Sequence, residues 1–172
     1  MIIGLVPGAM KPYHAGHHYL VEQAQKECDH VIIFTTAKDR KGISGLAMMN
    51  AWKTIIQPRL DAEVRFVVSP IRAVYEYLEK SDTGNTYRIY SGTEDLSRFS
   101  NKQLNKYCQH LNVCNVAEDN AAQFLRGVGD SPMAKGEWVR KAIEKGDFQA
   151  FQEYLPSFLK PYAEEYLSIL VE

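Results

Sequence analysis

Two histidines stand three residues apart in the stretch Gly8-Ala9-Met10-Lys11-Pro12-Tyr13-His14-Ala15-Gly16-His17. Upstream, a short apolar run from Ile2 to Val6 ends in Pro7-Gly8; downstream, Gly16-His17-His18-Tyr19-Leu20-Val21 opens a segment of helical character. This order predicts a strand, a tight turn and a helix N-terminus, with His14 and His17 at the junction. The first turn of a helix offers unpaired N–H groups and the positive end of its dipole, which attract phosphate. Two imidazoles placed there add donors that polarise a phosphate without blocking the site. The plainer alternative, that His14 and His17 only cap or pack a helix end, gives no shared reason for two histidines and two glycines in one turn. His18 adjoins the pattern and is read as structural.

The residues Gly8-x-Met10-x-Pro12-x-His14-x-Gly16-His17 resemble the G-x-F-x-P-x-H-x-G-H signature of the HxGH nucleotidylyltransferase superfamily, with Met10 where Phe is usual. That superfamily includes adenylyltransferases for nicotinamide mononucleotide and phosphopantetheine, and cytidylyltransferases for phosphorylated alcohols. The resemblance implies a nucleotide bound along Gly8, Ala9, Met10 and Gly16, with His14, His17 and Lys11 acting on its phosphates. Lys11 reads equally as a phosphate contact or as a solvated loop lysine.

The elements that must position these residues follow in chain order. Helices are expected at 16–28, at about 46–60 with Pro58 disturbing the last turn, at 70–80 and at 94–109. Strands are expected at 31–36, 62–68, 87–92 and 111–116; the β-branched run Val31 to Thr36 is typical of a buried parallel strand. The β-α alternation implies a parallel sheet with right-handed crossovers and helices on both faces. Ligands in such sheets bind beyond the carboxyl ends of the strands, and the polar or Gly-bearing loops 8–17, 36–45, 69–72 and 91–95 all fall there. The resemblance adds what spacing does not show, a Rossmann-like, doubly wound order of five strands. Residues 124–136 are expected to be irregular. A helix over 137–143 ends at Lys145-Gly146-Asp147, and amphipathic helices over 148–155 and 162–171 make a helical tail (146–172) packed on a single domain, 1–172.

A second phosphate site is expected where the superfamily carries I-S-x-T-x-x-R before a Gly-Asp turn. Here Val139-Arg140-Lys141-Ala142-Ile143 and Gly146-Asp147 are similar, and Arg140 matches the Arg; upstream, Lys135-Gly136-Glu137 replaces Ser-x-Thr. Glu137 repels an anion, whereas Lys135 before a helix start suits a β- or γ-phosphate. The alternative for Arg140 and Lys141 is the solvated face of a helix. The resemblance puts base and ribose contacts at Gly92, Thr93 and Glu94, in the run Ser91 to Asp95, though its acidic residues also suit a helix N-terminus. Lys38 and Lys41 after the second strand, and Arg72 after the third, are candidates for the acceptor's phosphate. Arg98 reads as a phosphate ligand or a surface charge. For Trp52 and Trp138 core packing is favoured over stacking on a ligand ring.

Composition narrows the class. At 172 residues and 45% hydrophobic content the chain has enough material for one core. A net charge of −1 argues against a dedicated nucleic-acid or membrane-surface binder. Cys28, Cys108 and Cys114 show no C-x-x-C spacing, so neither a disulfide framework nor a zinc site is indicated, and a reducing, cytoplasmic setting fits. The N-terminal apolar run is too short for a signal peptide, and no stretch is long enough to span a membrane.

The expected activity is transfer of a nucleoside monophosphate, AMP from ATP first, to a small phosphorylated acceptor such as nicotinamide mononucleotide, with release of pyrophosphate. Mg²⁺ is expected on the nucleotide phosphates and water, with no metal ligands from the protein. Cytidylyl transfer to a phosphorylated alcohol or sugar, and a nucleotide-binding protein of the same fold without turnover, are the alternatives. No nucleic acid or membrane partner is expected, and a homo-oligomer is left open.

Overall fold

The computed structural model describes residues 1–81, 84–92, 95, 97–108, 124–126 and 134–172. Strands β1 (Ile2–Gly8), β2 (His30–Thr36), β3 (Glu63–Val67), β4 (Thr86–Ile89) and β5 (Phe124–Arg126) pair in the order β3-β2-β1-β4-β5. Every pairing is parallel, with Leu5 opposite both Ile32 and Ile89 at the centre. The strand order reverses between β1 and β4, which opens a crevice beyond the carboxyl end of β1. The expected strand over 111–116 lies outside the described residues.

The period-2 alternation of the strands divides the core into two layers. Ile3, Leu5, Ile32, Phe34 and Ile89 face one layer, where helix α3 (Pro70–Glu79) buries Val74 and Leu78 and helix α4 (Asn101–Tyr107) buries Leu104. Val6, Val31 and Ile33 face the other, against Leu20, Val21 and Ala24 of α1 (Ala15–Glu27). Helices therefore cover both faces. No helix among the described residues is long and apolar enough to cross a membrane.

Local chemistry sets the helix ends. Ser44 caps α2 (Gly45–Ala51) and Ser69 caps α3, whose first residue is Pro70. The predicted helix to residue 60 is instead three pieces: α2, a π-helical turn (Trp52–Ile56) and a 3₁₀ turn (Gln57–Arg59). Pro58 lacks the N–H for an α-helical bond and its ring collides with the carbonyl four residues back, so the helix widens and then stops. Within the predicted helix over 94–109, Asp95 is helical, residues 97–100 are not, and α4 starts at Asn101, where Ser100 caps it by accepting the Gln103 N–H.

At the C-terminal end, α5 (Gly136–Lys145) stops at Gly146, whose φ of 68° is the left-handed conformation that glycine adopts without steric cost. Asp147 caps α6 (Phe148–Glu153); a 3₁₀ turn (Ser157–Tyr162) and α7 (Ala163–Leu170) follow. Phe151, Leu155, Leu159, Tyr166 and Leu170 join the core layer that holds α1, Tyr13 and Trp52. The last three helical segments thus pack against the His-bearing turn.

Candidate active site

The turn between β1 and α1 is held from several sides. The Thr35 hydroxyl at the end of β2 donates to the Ala9 carbonyl at 3.0 Å. Met10 takes a φ of 51°, uncommon for a residue with a side chain, and its thioether is buried under Gly8, where a Cβ would lie 3.3 Å from it. Lys11-Pro12 is a cis peptide. Tyr13 is buried and packs its ring 4.9 Å from that of Trp52. From the tail, the Tyr166 hydroxyl donates to the Tyr13 carbonyl at 2.9 Å, and the Ala15 N–H donates to the Tyr154 carbonyl at 2.8 Å.

His14 is the N-cap of α1, and its Nδ1 accepts the Gly16 N–H at 3.0 Å. An Nδ1 that accepts carries no proton, so the neutral ring holds its hydrogen on Nε2. Burial, and then the nearby Arg140 guanidinium, lowers the His14 pKa to about 4, which keeps it neutral. Its Nε2 faces the start of α5, 3.7 Å from where a Cβ on Gly136 would lie. The His17 ring stacks on His14, centroids 3.8 Å apart and planes 25° from parallel. Burial, His14 and Arg140 in that order press the His17 pKa well below the ordinary imidazole range. Its Nδ1 is buried without a partner among the described residues. Gly16 has no room for a side chain: a Cβ would stand 2.4 Å from the Ala134 carbonyl oxygen.

These residues line a cleft of about 780 Å³ at the carboxyl ends of β1, β2, β3 and β4. It gathers Gly8, Ala9, Met10, Lys11, His14, Gly16 and His17 with Lys38, Lys41, Gly92, Lys135 and Arg140. Arg98 also lines it, 3.9 Å from Asp95. Thr93 and Glu94 lie outside the described residues. Arg72 is not brought in; it is exposed and pairs with Glu76 at 3.1 Å, an ordinary i,i+4 ion pair on α3. Arg140 donates from Nη1 to the Lys11 carbonyl at 3.2 Å, tying α5 to the turn. Glu137 also reaches the cleft, where Lys141 pairs with it at 3.2 Å.

Sequence reasoning missed Arg40, and it named Ser91 only as the first residue of the run to Asp95. Arg40 sits between the two lysines that were singled out, and Ser91 is buried in the cleft wall with its hydroxyl unpartnered among the described residues. His18 is structural as read: its Nδ1 bonds the Tyr13 hydroxyl at 2.8 Å and its ring meets Phe158. Trp52 is fully buried, but Trp138 is 40% exposed, against the expectation of core packing, with the Lys135 ammonium 5.7 Å from its ring. A smaller groove of about 470 Å³ beside α3 is lined by Phe34, Arg65, Tyr77 and Tyr87 and includes none of the motif residues; Arg65 there is committed to Glu63.

Chemically, the cleft offers two neutral, stacked imidazoles, a helix N-terminus and several cations, a set suited to a multiply charged phosphate ester. No group of three or more His, Cys, Asp or Glu among the described residues is placed to hold a metal ion.

Residues 4–69 match the citrate lyase ligase C-terminal domain family. Among curated proteins none matches the sequence. The fold is similar to that of a Thermotoga maritima protein, TmcAL, bound with alpha-thio ATP, at 12% identity and a TM-score of 0.55. It is also similar to a bifunctional NMN adenylyltransferase/ADP ribose pyrophosphatase from Francisella tularensis, at 11% identity and 0.56 in a complex with AMP and a manganese ion, and at 12% and 0.59 in a second structure. These matches cover 98–99% of this chain but 51–54% of the solved ones, so the chain spans about half their length.

Proposed function

We propose, from the premise that this chain is HxGH nucleotidylyltransferase-like in motif and in fold, that it transfers AMP from ATP to a small phosphorylated acceptor. The observation that carries the reading is the His14 bond to the Gly16 N–H, which leaves Nε2–H as the donor beside Lys11 and Arg140. A phosphate oxygen of the acceptor attacks the α-phosphorus of the nucleotide, the α–β bridging P–O bond breaks, and pyrophosphate leaves. The nucleophile is already ionised, so no base is required, and the protein's contribution is alignment and charge stabilisation. His14 and His17 hydrogen-bond the α-phosphate and the leaving group; Lys11, Lys135 and Arg140 hold the β- and γ-phosphates. Lys38 and Lys41 meet the acceptor, and Gly92 with Thr93 and Glu94 meets base and ribose.

Mg²⁺ carried by the nucleotide phosphates would add charge neutralisation to that of Lys11, Lys135 and Arg140. Nicotinamide mononucleotide is the lead acceptor, with cytidylyl transfer from CTP next. The carboxylate of Glu137 at the cleft favours one reading of another class, a nucleotide-binding protein without turnover. The deciding experiment is pyrophosphate release from ATP and CTP with Mg²⁺ and a panel of phosphorylated acceptors, in wild type and His17→Ala. Release with one pair, lost in the variant, supports the transferase; stabilisation by nucleotide without release supports the binder. No response to any nucleotide ends both readings.

A further inference from the structure

Three cations from distant parts of the chain meet in the cleft, and one of them is unexplained by the motif. Arg40 closes a tight loop with Ile43, its N–H donating to the Ile43 carbonyl at 2.9 Å and its carbonyl accepting the Ile43 N–H at 3.0 Å. The Lys11 ammonium reaches the same Ile43 carbonyl at 3.5 Å, and Arg140 donates to the Lys11 carbonyl. The loop after β2, the β1–α1 turn and α5 are therefore joined at one place, and Arg40, Lys11 and Arg140 all line the cleft there.

Among the described residues no carboxylate lies within ion-pair distance of any of the three. The nearest acid along the chain, Asp39, accepts the Gly45 N–H at 2.8 Å, and its charge acts on Lys11 from beyond ion-pair distance. At Arg140 the charge of Arg40 is the first cause after burial that lowers the pKa, ahead of the opposing Glu137; at Lys11 Arg40 lowers it too, behind the opposing Asp39 carboxylate. Asp39 and Glu137 act on Lys11 and Arg140, and the repulsion between Arg40 and Arg140 is what a bound polyanion would relieve. One phosphate is small for three; a chain of phosphates matches them in charge and in spread. Meanwhile Lys135-Gly136-Glu137 offers no hydroxyl on the α5 side, and Glu137 adds a negative charge there.

We infer that Arg40 is a polyphosphate-binding residue, which with Lys11 and Arg140 clamps the β- and γ-phosphates of the donor in place of the hydroxyls that Lys135-Gly136-Glu137 lacks. This rests on the nucleotide-donor reading above for the identity of the polyphosphate. It gives the loop after β2 a role on the donor side, beyond the acceptor role of Lys38 and Lys41.

The test is calorimetric binding of inorganic tripolyphosphate, ATP and AMP to wild type, Arg40→Gln and the control Lys53→Gln, an exposed residue away from the cleft. Loss of one charge-assisted contact should weaken tripolyphosphate and ATP by about 10- to 100-fold in Arg40→Gln. AMP binding should stay within about twofold, and Lys53→Gln should match wild type. Equal weakening of ATP and AMP, or no weakening of either, overturns the clamp. Arg40-dependent tripolyphosphate binding by a protein that takes neither ATP nor AMP would keep the clamp and remove the nucleotide reading. A wild type that binds none of the three overturns both.

Discussion

The rings of His14 and His17 lie stacked with centroids 3.8 Å apart, and both are neutral because burial and the Arg140 charge make a proton costly, with His14 adding to the effect on His17. The folded pKa of His14, about 4, lies below its ordinary 6.5, so between these values the unfolded chain takes up a proton that the native one refuses. Stability is therefore complete above about pH 6.5 and falls as pH drops toward 4, by roughly 3 kcal/mol for this residue. Denaturant unfolding at pH 7.5, 5.5 and 4.5 measures it, and His14→Asn should flatten the slope. An equal slope in the variant would mean that another group titrates. The same neutrality predicts that kcat/KM shows no imidazole titration between pH 6.5 and 8.

Tyr166→Phe removes one hydroxyl and leaves the Tyr13 carbonyl, one residue before His14, without its buried partner. The stability cost should be about 1–2 kcal/mol. The effect on turnover should be larger in proportion, because a small misplacement of aligned groups costs about tenfold or more in kcat. The KM for ATP should hold within about twofold. Leu170→Ala, which loosens the same helix without touching that bond, should destabilise by about 2–5 kcal/mol yet keep kcat at low temperature. If both variants lose kcat equally, Tyr166 acts only through packing.

Gly16→Ala sets a helix-propensity gain of about 1 kcal/mol against a collision. The collision wins, because the Ala134 carbonyl 2.4 Å from the new methyl is backbone and yields only if the lead into α5 moves. A net loss of about 1–3 kcal/mol, roughly 2–12 °C in Tm, is expected. A melting temperature equal to wild type would show that the segment shifts freely.

Glu137→Gln takes a carboxylate out of the cleft rim while keeping the size of the side chain. Its partner Lys141 is as exposed as Glu137 itself, so the melting temperature should be nearly unchanged. ATP affinity should rise about two- to fivefold at low salt, with the gain fading at high salt. Weaker binding would instead assign Glu137 a constructive part in holding the ligand or its metal ion.

Much of this was legible in the residues because it is local. The apolar run of β1, the Gly- and His-bearing turn and the amphipathic stripes of α1 and α3 each announce themselves within a few positions. What was not legible depends on neighbours far along the chain. Arg40 stands between two lysines that look equally suitable, and only the meeting of its loop with Lys11 and α5 sets it apart. Arg72 has the right type at a strand tip, yet its helix gives it Glu76 four residues on. Trp138 belongs by type in a core, but the chain places it on the rim beside Lys135. The break in the helical pattern at 97–100 reflects the cap at Ser100, from which α4 starts afresh.

The bonds from Tyr154 and Tyr166 back to Ala15 and Tyr13 also bear on the order in which the site comes into being. A ribosome delivers the histidine turn about 150 residues before α7. At ordinary synthesis rates the turn waits several seconds or more for the partners that hold it. During that interval β1, α1 and β2 can already associate through short-range contacts, whereas the carbonyl of Tyr13 has no protein donor. The centre is thus completed only once α7 has been made, and a nascent chain carries every residue of the motif well before it carries a working one.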